Sequence, residues 1–202
     1  MNPRANILSL PNEMTSAFFL HTPSPFPIPP PTTGPLSPTA SGHVCPKWRE
    51  ISRSTPTLWR SVSITLDCSR AEEQINLLNT WLSRSRALTT SVALFDHEQP
   101  NEEPELPLVS QFLALLCIYI NLQHLEVRIP LSSLNIELLG QISTPMLESL
   151  KISAECIEIE DEAEPILILP DAPRLFKLTI RYLDVNLALP CTRLTTLIAH
   201  VP

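Results

Sequence analysis

Leu122-Gln123-His124-Leu125-Glu126-Val127 opens a set of four stretches that share one frame: a leucine, two variable residues, a second leucine, one variable residue and a small or β-branched residue. The others are Leu147-Glu148-Ser149-Leu150-Lys151-Ile152, Leu175-Phe176-Lys177-Leu178-Thr179-Ile180 and, less perfectly, Leu194-Thr195-Thr196-Leu197-Ile198-Ala199. Near the end of each copy the apolar residues alternate, as Leu125 and Val127 do, which turns one side of a short strand toward a core. The first leucine packs beneath it. Pro145 and Pro173 stand just ahead of two copies and end whatever precedes them. A right-handed crossover from strand to strand then stacks the copies in a parallel sheet.

The starting leucines recur at intervals of 25, 28 and 19 residues, in or near the leucine-rich-repeat range of about 20–29. Helices fill the intervals unevenly. Residues 71–85 carry Ile75, Leu78, Trp81 and Leu82 on one face, with Ser69 as a capping candidate. Residues 108–119 carry Phe112, Leu115, Leu116 and Tyr119, and residues 132–139 form a third, short helix that Gly140 stops. Ile166-Leu167-Ile168-Leu169 reads as an extra strand. The expected fold class is α/β: a small helical module over residues 1–65, then an irregular leucine-rich-repeat-like solenoid with a parallel sheet over residues 66–202. The chain stops at Val201-Pro202 without the polar cap a solenoid requires, so a shortened array with a fraying last strand is expected.

Upstream of the repeats, Leu10-Pro11-Asn12-Glu13-Met14 runs into Phe18-Phe19. Met14, Ala17, Phe18 and His21 recur at helical spacing, Pro11 suits a first helical turn, and Glu13 complements the helix dipole there. A tract follows with prolines at 23, 25, 27, 29, 30, 31, 35 and 38. It reads as an extended, solvated insertion over residues 22–38, unable to hold a helix or a ladder; a spacer and a ligand for proline-binding domains are its two readings. Beyond it, Val44, Trp48 and Ile51 define one apolar helix face, with Lys47, Arg49 and Glu50 on the other. Ser54-Thr55-Pro56 ends that helix, and Leu58, Trp59, Val62 and Ile64 lead into a strand.

The order of these signatures, LPNEM, FFLH, a proline tract, VCPKWREI and STPTLWRSVSI, resembles the F-box-like proteins abundant in mushroom-forming fungi. Asn79-Thr80-Trp81-Leu82-Ser83-Arg84-Ser85, with Leu88 and Val92-Ala93-Leu94 after it, is similar to that family's helix with WLxRS and its following strand. The resemblance implies a non-catalytic adaptor: a substrate-recognition subunit that docks a Skp-type adaptor, and through it a cullin and a RING ubiquitin ligase, while the C-terminal part selects an unknown target protein. Carried onto matching positions, it implies partner-binding or box-core roles for Leu10, Pro11, Glu13, Met14, Phe18, Phe19, Val44, Cys45, Trp48 and Ile51. The sequence leaves open which of the ten face a partner. Thr15, Gly42, His43 and Pro46 depart from the family pattern, so either the second helix starts at about Cys45, with Pro46 in its first turn, or the box is degenerate. In the second case the alternative function is a repeat-type protein-interaction scaffold with no ubiquitin role.

Composition narrows the classes. The 202 residues are 44% hydrophobic and 17% charged, enough to bury a core. A net charge of -7 and the absence of a Lys/Arg stripe argue against nucleic acid. Five scattered cysteines read as reduced thiols, and no apolar run is long enough for a membrane span, so a cytoplasmic or nuclear location is expected. No cofactor, metal or catalytic residue is expected. His43 with Cys45, and Cys117 with His124, lack zinc spacing; Cys191 with His200 lacks an orienting group; three glycines provide no phosphate loop. The acidic stretches 96–105 and 155–164 read as solvated loops, or as charge offered to a basic segment of a target.

Overall fold

The computed structural model describes residues 10–22, 26–96, 106–130, 145–155, 166–168, 172–181, 186–188 and 193–200. The expected helix over 132–139, most of both acidic stretches, Ile7, Leu8, Cys156 and Cys191 lie outside them. Three helices come first: α1 (Asn12–Leu20), α2 (Pro38–Val44) and α3 (Pro46–Ser54). After a short 3-10 turn over Pro56–Trp59 the chain alternates strand and helix through β1 (Ser61–Leu66), α4 (Ala71–Ser85), β2 (Thr90–Asp96), α5 (Leu106–Cys117) and β3 (Leu122–Pro130). It continues with β4 (Ser149–Glu155), β5 (Ile166–Ile168), β6 (Lys177–Arg181), β7 (Asn186–Ala188) and β8 (Thr196–His200).

Six strands form one parallel sheet in the order β1-β2-β3-β4-β6-β8, and β5 pairs with β7 in a separate two-stranded sheet. The shared frame of the four repeats is the register of this sheet. Leu125 pairs with Leu150, Leu150 with Leu178 and Leu178 with Leu197; Val127 pairs with Ile152, Ile152 with Ile180 and Ile180 with Ala199. Two upstream strands extend both rows, through Val62 and Val92 beside Leu125, and Ile64 and Leu94 beside Val127. Register is held because a slip by one residue would turn every one of these side chains to the other face.

From β1 to β6 the rows bury against the helices, while Leu197 and Ala199 at their end in β8 are exposed. Leu78, Trp81 and Leu82 of α4 and Val109, Phe112, Leu113 and Leu116 of α5 share one hydrophobic cluster with them, and that cluster runs unbroken from Phe19 and Ile51 to Ile180. The boundary drawn at residue 65 from sequence falls within β1, whose Val62, Ile64 and Leu66 belong to this cluster. Within α4, Ile75 is only partly buried; in α5, Val109 and Leu113 join the expected Phe112 and Leu116, while Leu115 packs at the margin, as does Tyr119 beyond the helix end at Cys117. Ser69 does not cap α4: its backbone N–H and its hydroxyl both donate to the Asp67 carboxylate, and Arg70 occupies the cap without a side-chain bond.

The proline tract is not a free spacer. Pro38 starts α2, whose Ser37 cap accepts a hydrogen bond from the Thr39 N–H. Upstream, Ser63 donates its N–H to the Pro30 carbonyl at 3.0 Å, and Pro31 forms a parallel bridge with Ser63. Proline cannot donate to a ladder but can accept, so the tract fits beside an edge strand and covers part of the exposed side of β1. Phe26 is placed by the same path: the Arg60 guanidinium stacks 3.9 Å from its ring centroid and the His124 ring meets it edge-on at 5.4 Å. Burial pushes the His124 imidazole below its usual pKa, Arg60 and Lys177 push it the same way, and Glu148 opposes them.

Candidate protein-docking surface

The two signatures that bracket the proline tract meet in space. Lys47, in the first turn of α3, donates its Nζ to the Leu10 carbonyl at 2.9 Å, just before α1 begins. At the other end, the Ser16 and Thr55 hydroxyls lie 3.3 Å apart. Between these polar ties, Phe19 is buried and meets Trp48 edge-to-face with ring centroids 5.0 Å apart. Such a pair adds about 0.5–1.5 kcal/mol beyond its burial.

This contact sets the rotation of α1. Thr15 and Phe19, four residues apart on one face, are buried. Met14, Ala17, Phe18 and His21, the residues expected from spacing to face the core, are all exposed. Both sets have helical periodicity; the set with Phe19, whose ring packs edge-on against Trp48, takes the buried side. The polar Thr15 is accommodated because its hydroxyl donates to the Pro11 carbonyl at 3.1 Å, which removes the cost of an unpaired buried donor.

The second signature is two helices rather than one. Cys45 is extended (φ -159, ψ 166) and separates α2 from α3, with Pro46 at the start of α3 and the Cys45 sulfur accepting from the Trp48 N–H at 3.4 Å. Proline lacks only a hydrogen bond that the first turn would not make. Val44 therefore ends α2 instead of sharing a face with Trp48 and Ile51, and its side chain is 60% exposed. The Arg49 Nε donates to the Gly42 carbonyl across the joint at 2.9 Å. At the far end of α3, the Trp59 indole N–H donates to the Ser52 carbonyl at 2.8 Å, and its ring meets Trp81 edge-on at 4.9 Å. The Arg84 guanidinium lies over Trp59, its pKa lowered by burial and by nearby Arg53.

The ten residues named from sequence thus divide. Phe19 and Ile51 belong to the core; Leu10, Cys45 and Trp48 are half-buried; Pro11, Glu13, Met14, Phe18 and Val44 are exposed. Met14 and Phe18 lie one helical turn apart on α1 and are 58% and 55% exposed, and the Phe18 ring lies 6.3 Å from that of Trp48. Leu20, absent from the sequence-based set, is also exposed on α1 at 41%. The Trp48 indole Nε1 is buried without a hydrogen-bond partner among the described residues. The result is an apolar ridge along α1, held rigid by Phe19 beneath it and bordered by Trp48.

Among the described residues, no group of three or more His, Cys, Asp or Glu side chains is placed to hold a metal ion, and no helix is long and apolar enough to cross a membrane. No protein-family model, curated protein or solved structure matches this chain.

Proposed function

We propose that this chain is a non-catalytic adaptor, the substrate-recognition subunit of a Skp/cullin/F-box type ubiquitin ligase acting in the cytoplasm or nucleus. The α1–α3 pair is its F-box-like module and docks a Skp-type adaptor; the leucine-rich-repeat-like sheet region receives a target protein. The single observation that carries the reading is the ridge of Met14 and Phe18, large apolar side chains left in water on a helix whose adjacent face is anchored by Phe19. Two exposed side chains of this size on one short helix leave an unsatisfied hydrophobic surface that a partner would cover. Pro46, the residue that most threatened the second signature, supports it as an N-terminal helix residue.

Co-purification with a Skp-type adaptor tests the reading. Wild-type chain is expected to retain the adaptor, and the Met14→Glu/Phe18→Glu double variant to lose it while keeping its helical circular dichroism. Retention by the double variant removes these residues from the interface. Absence of adaptor binding by the wild type leaves the alternative, a repeat-type interaction scaffold with a degenerate box.

A further inference from the structure

Among the described residues, surfaces outside the proposed docking ridge include the outer sheet face, the Phe26–Arg60–His124 stack, and a groove at the N-terminal ends of β4, β6 and β8. The outer face is partly self-neutralised, since Lys151 pairs with Glu126 across adjacent strands. The stack is satisfied internally. The groove is neither. It is open to solvent, holds about 610 Å³, and is lined by Glu148, Arg174, Phe176, Arg193 and Thr195.

Sheet register shows how the repeat builds it. Continuing the pairing of Leu150 with Leu178 and Leu178 with Leu197 toward the strand starts brings Glu148, Phe176 and Thr195 side by side, and brings Arg174 beside Arg193. Backbone bonds carry the alignment past the strands themselves. The Phe176 N–H donates to the Glu148 carbonyl at 3.1 Å, and the Thr195 N–H to the Phe176 carbonyl at 3.0 Å. The two arginines, each just before a repeat leucine, therefore start about one strand spacing apart, roughly 4.8 Å. Both are exposed, and Phe176, 40% exposed, stands in the adjoining row two residues further along β6.

The geometry points to an extended, Asp/Glu-rich segment of a partner protein as the occupant of this groove. Charge complementarity selects it: two arginines and a single carboxylate line the groove on a chain of net charge -7. Side chains on one side of an extended peptide recur at about 6.6–6.8 Å, so a carboxylate facing the paired guanidinium forks and an apolar residue two positions along, over Phe176, lie on the same side. Arginine suits this role because its planar fork binds carboxylates bidentately. Glu148 disfavours a doubly charged phosphate at one point and leaves dispersed carboxylates the better match. Both acidic stretches of the chain begin where β2 and β4 end, at the opposite ends of the strands from the groove. The inference concerns target selection and stands without the adaptor reading, because it is measured on the chain alone.

The test is fluorescence anisotropy with a labelled short peptide carrying glutamates at alternate positions around a central leucine, and its glutamine counterpart. The wild-type chain is expected to bind the acidic peptide and not the neutral one, with affinity falling as salt rises. Arg174→Glu/Arg193→Glu, and the milder Arg174→Gln/Arg193→Gln, should weaken binding at least about tenfold, the size expected for losing charge-assisted bonds. Arg70→Glu, at the other end of the sheet, should leave it unchanged. Equal binding of both peptides, or unchanged affinity in the folded double variants, overturns the proposal. So does a tenfold or greater gain in affinity when the acids of residues 158–164 are replaced by their amides, since the chain itself would then be the occupant.

Discussion

Phe18 and Phe19 are neighbours in sequence with opposite environments, and exchanging each for alanine separates the two roles of α1. Phe19 is 1% exposed, belongs to the central hydrophobic cluster and meets Trp48 edge-on. Removing a buried phenyl ring from such a site costs about 3–5 kcal/mol, through lost transfer energy and the cavity left behind. Phe18 is 55% exposed. It forfeits less than half of a burial term of about 1.5–3 kcal/mol, and alanine's better helix propensity returns about 0.5 kcal/mol of that. The net loss is therefore at or below about 1 kcal/mol. For a chain of this length each kcal/mol moves Tm by about 2–4 °C, so Phe19→Ala should lower Tm by at least about 6 °C and Phe18→Ala by no more than about 4 °C. Thermal unfolding followed by far-UV circular dichroism reads both values. Adaptor co-purification should show the reverse order, with folded Phe18→Ala impaired. Equal losses of Tm, or a change below about 2 °C for Phe19→Ala, would refute the orientation of α1 derived above.

Trp81→Phe should destabilise by about 1–3 kcal/mol in urea denaturation, because it removes the indole N–H that the buried Ser61 carbonyl accepts at 3.1 Å; a change within error would show that the bond contributes nothing net. Thr15→Val should alter stability by less than about 1 kcal/mol, since the Pro11 carbonyl keeps its bond from the residue 15 N–H at 3.0 Å, and a larger loss would assign the hydroxyl a role beyond satisfying itself. His124 has a depressed pKa in the folded chain, so the unfolded chain binds its proton first as pH falls through about 6.5, and stability declines below that value until the folded imidazole also protonates. Comparing urea midpoints at pH 7.5 and 5.5 should therefore show a larger drop for wild type than for His124→Gln; parallel drops would exclude His124 as the cause.

The parallel sheet was legible because its signal repeats. Four copies of one frame place their apolar residues on one side of four strands, and the register that pairs them keeps those of the first three in the core, while Leu197 and Ala199 of the fourth are exposed. The helices read at 71–85 and 108–119 were legible for the same reason, each having an apolar face long enough to outweigh local alternatives, although the second runs over 106–117. The two upstream strands are in the same rows yet lack the leading leucine, so the frame alone did not join them to the repeat. The site was half legible. All ten residues named for it lie in or beside the helices that come together, but spacing could not tell Met14 and Phe18 from Thr15 and Phe19.

The sequence by itself determined the strand frame, the helix-forming segments and the excess of negative charge, since these depend on residues close together in the chain. Tertiary structure alone decided which side of α1 meets water, that Cys45 divides the second signature, that the proline tract lies along β1, and that Arg174 and Arg193 share a groove. Each of these is a choice among locally equivalent states. It is made by a contact across tens of residues, such as Phe19 with Trp48 or Pro30 with Ser63, whose free energy exceeds the local differences in propensity that a linear pattern records.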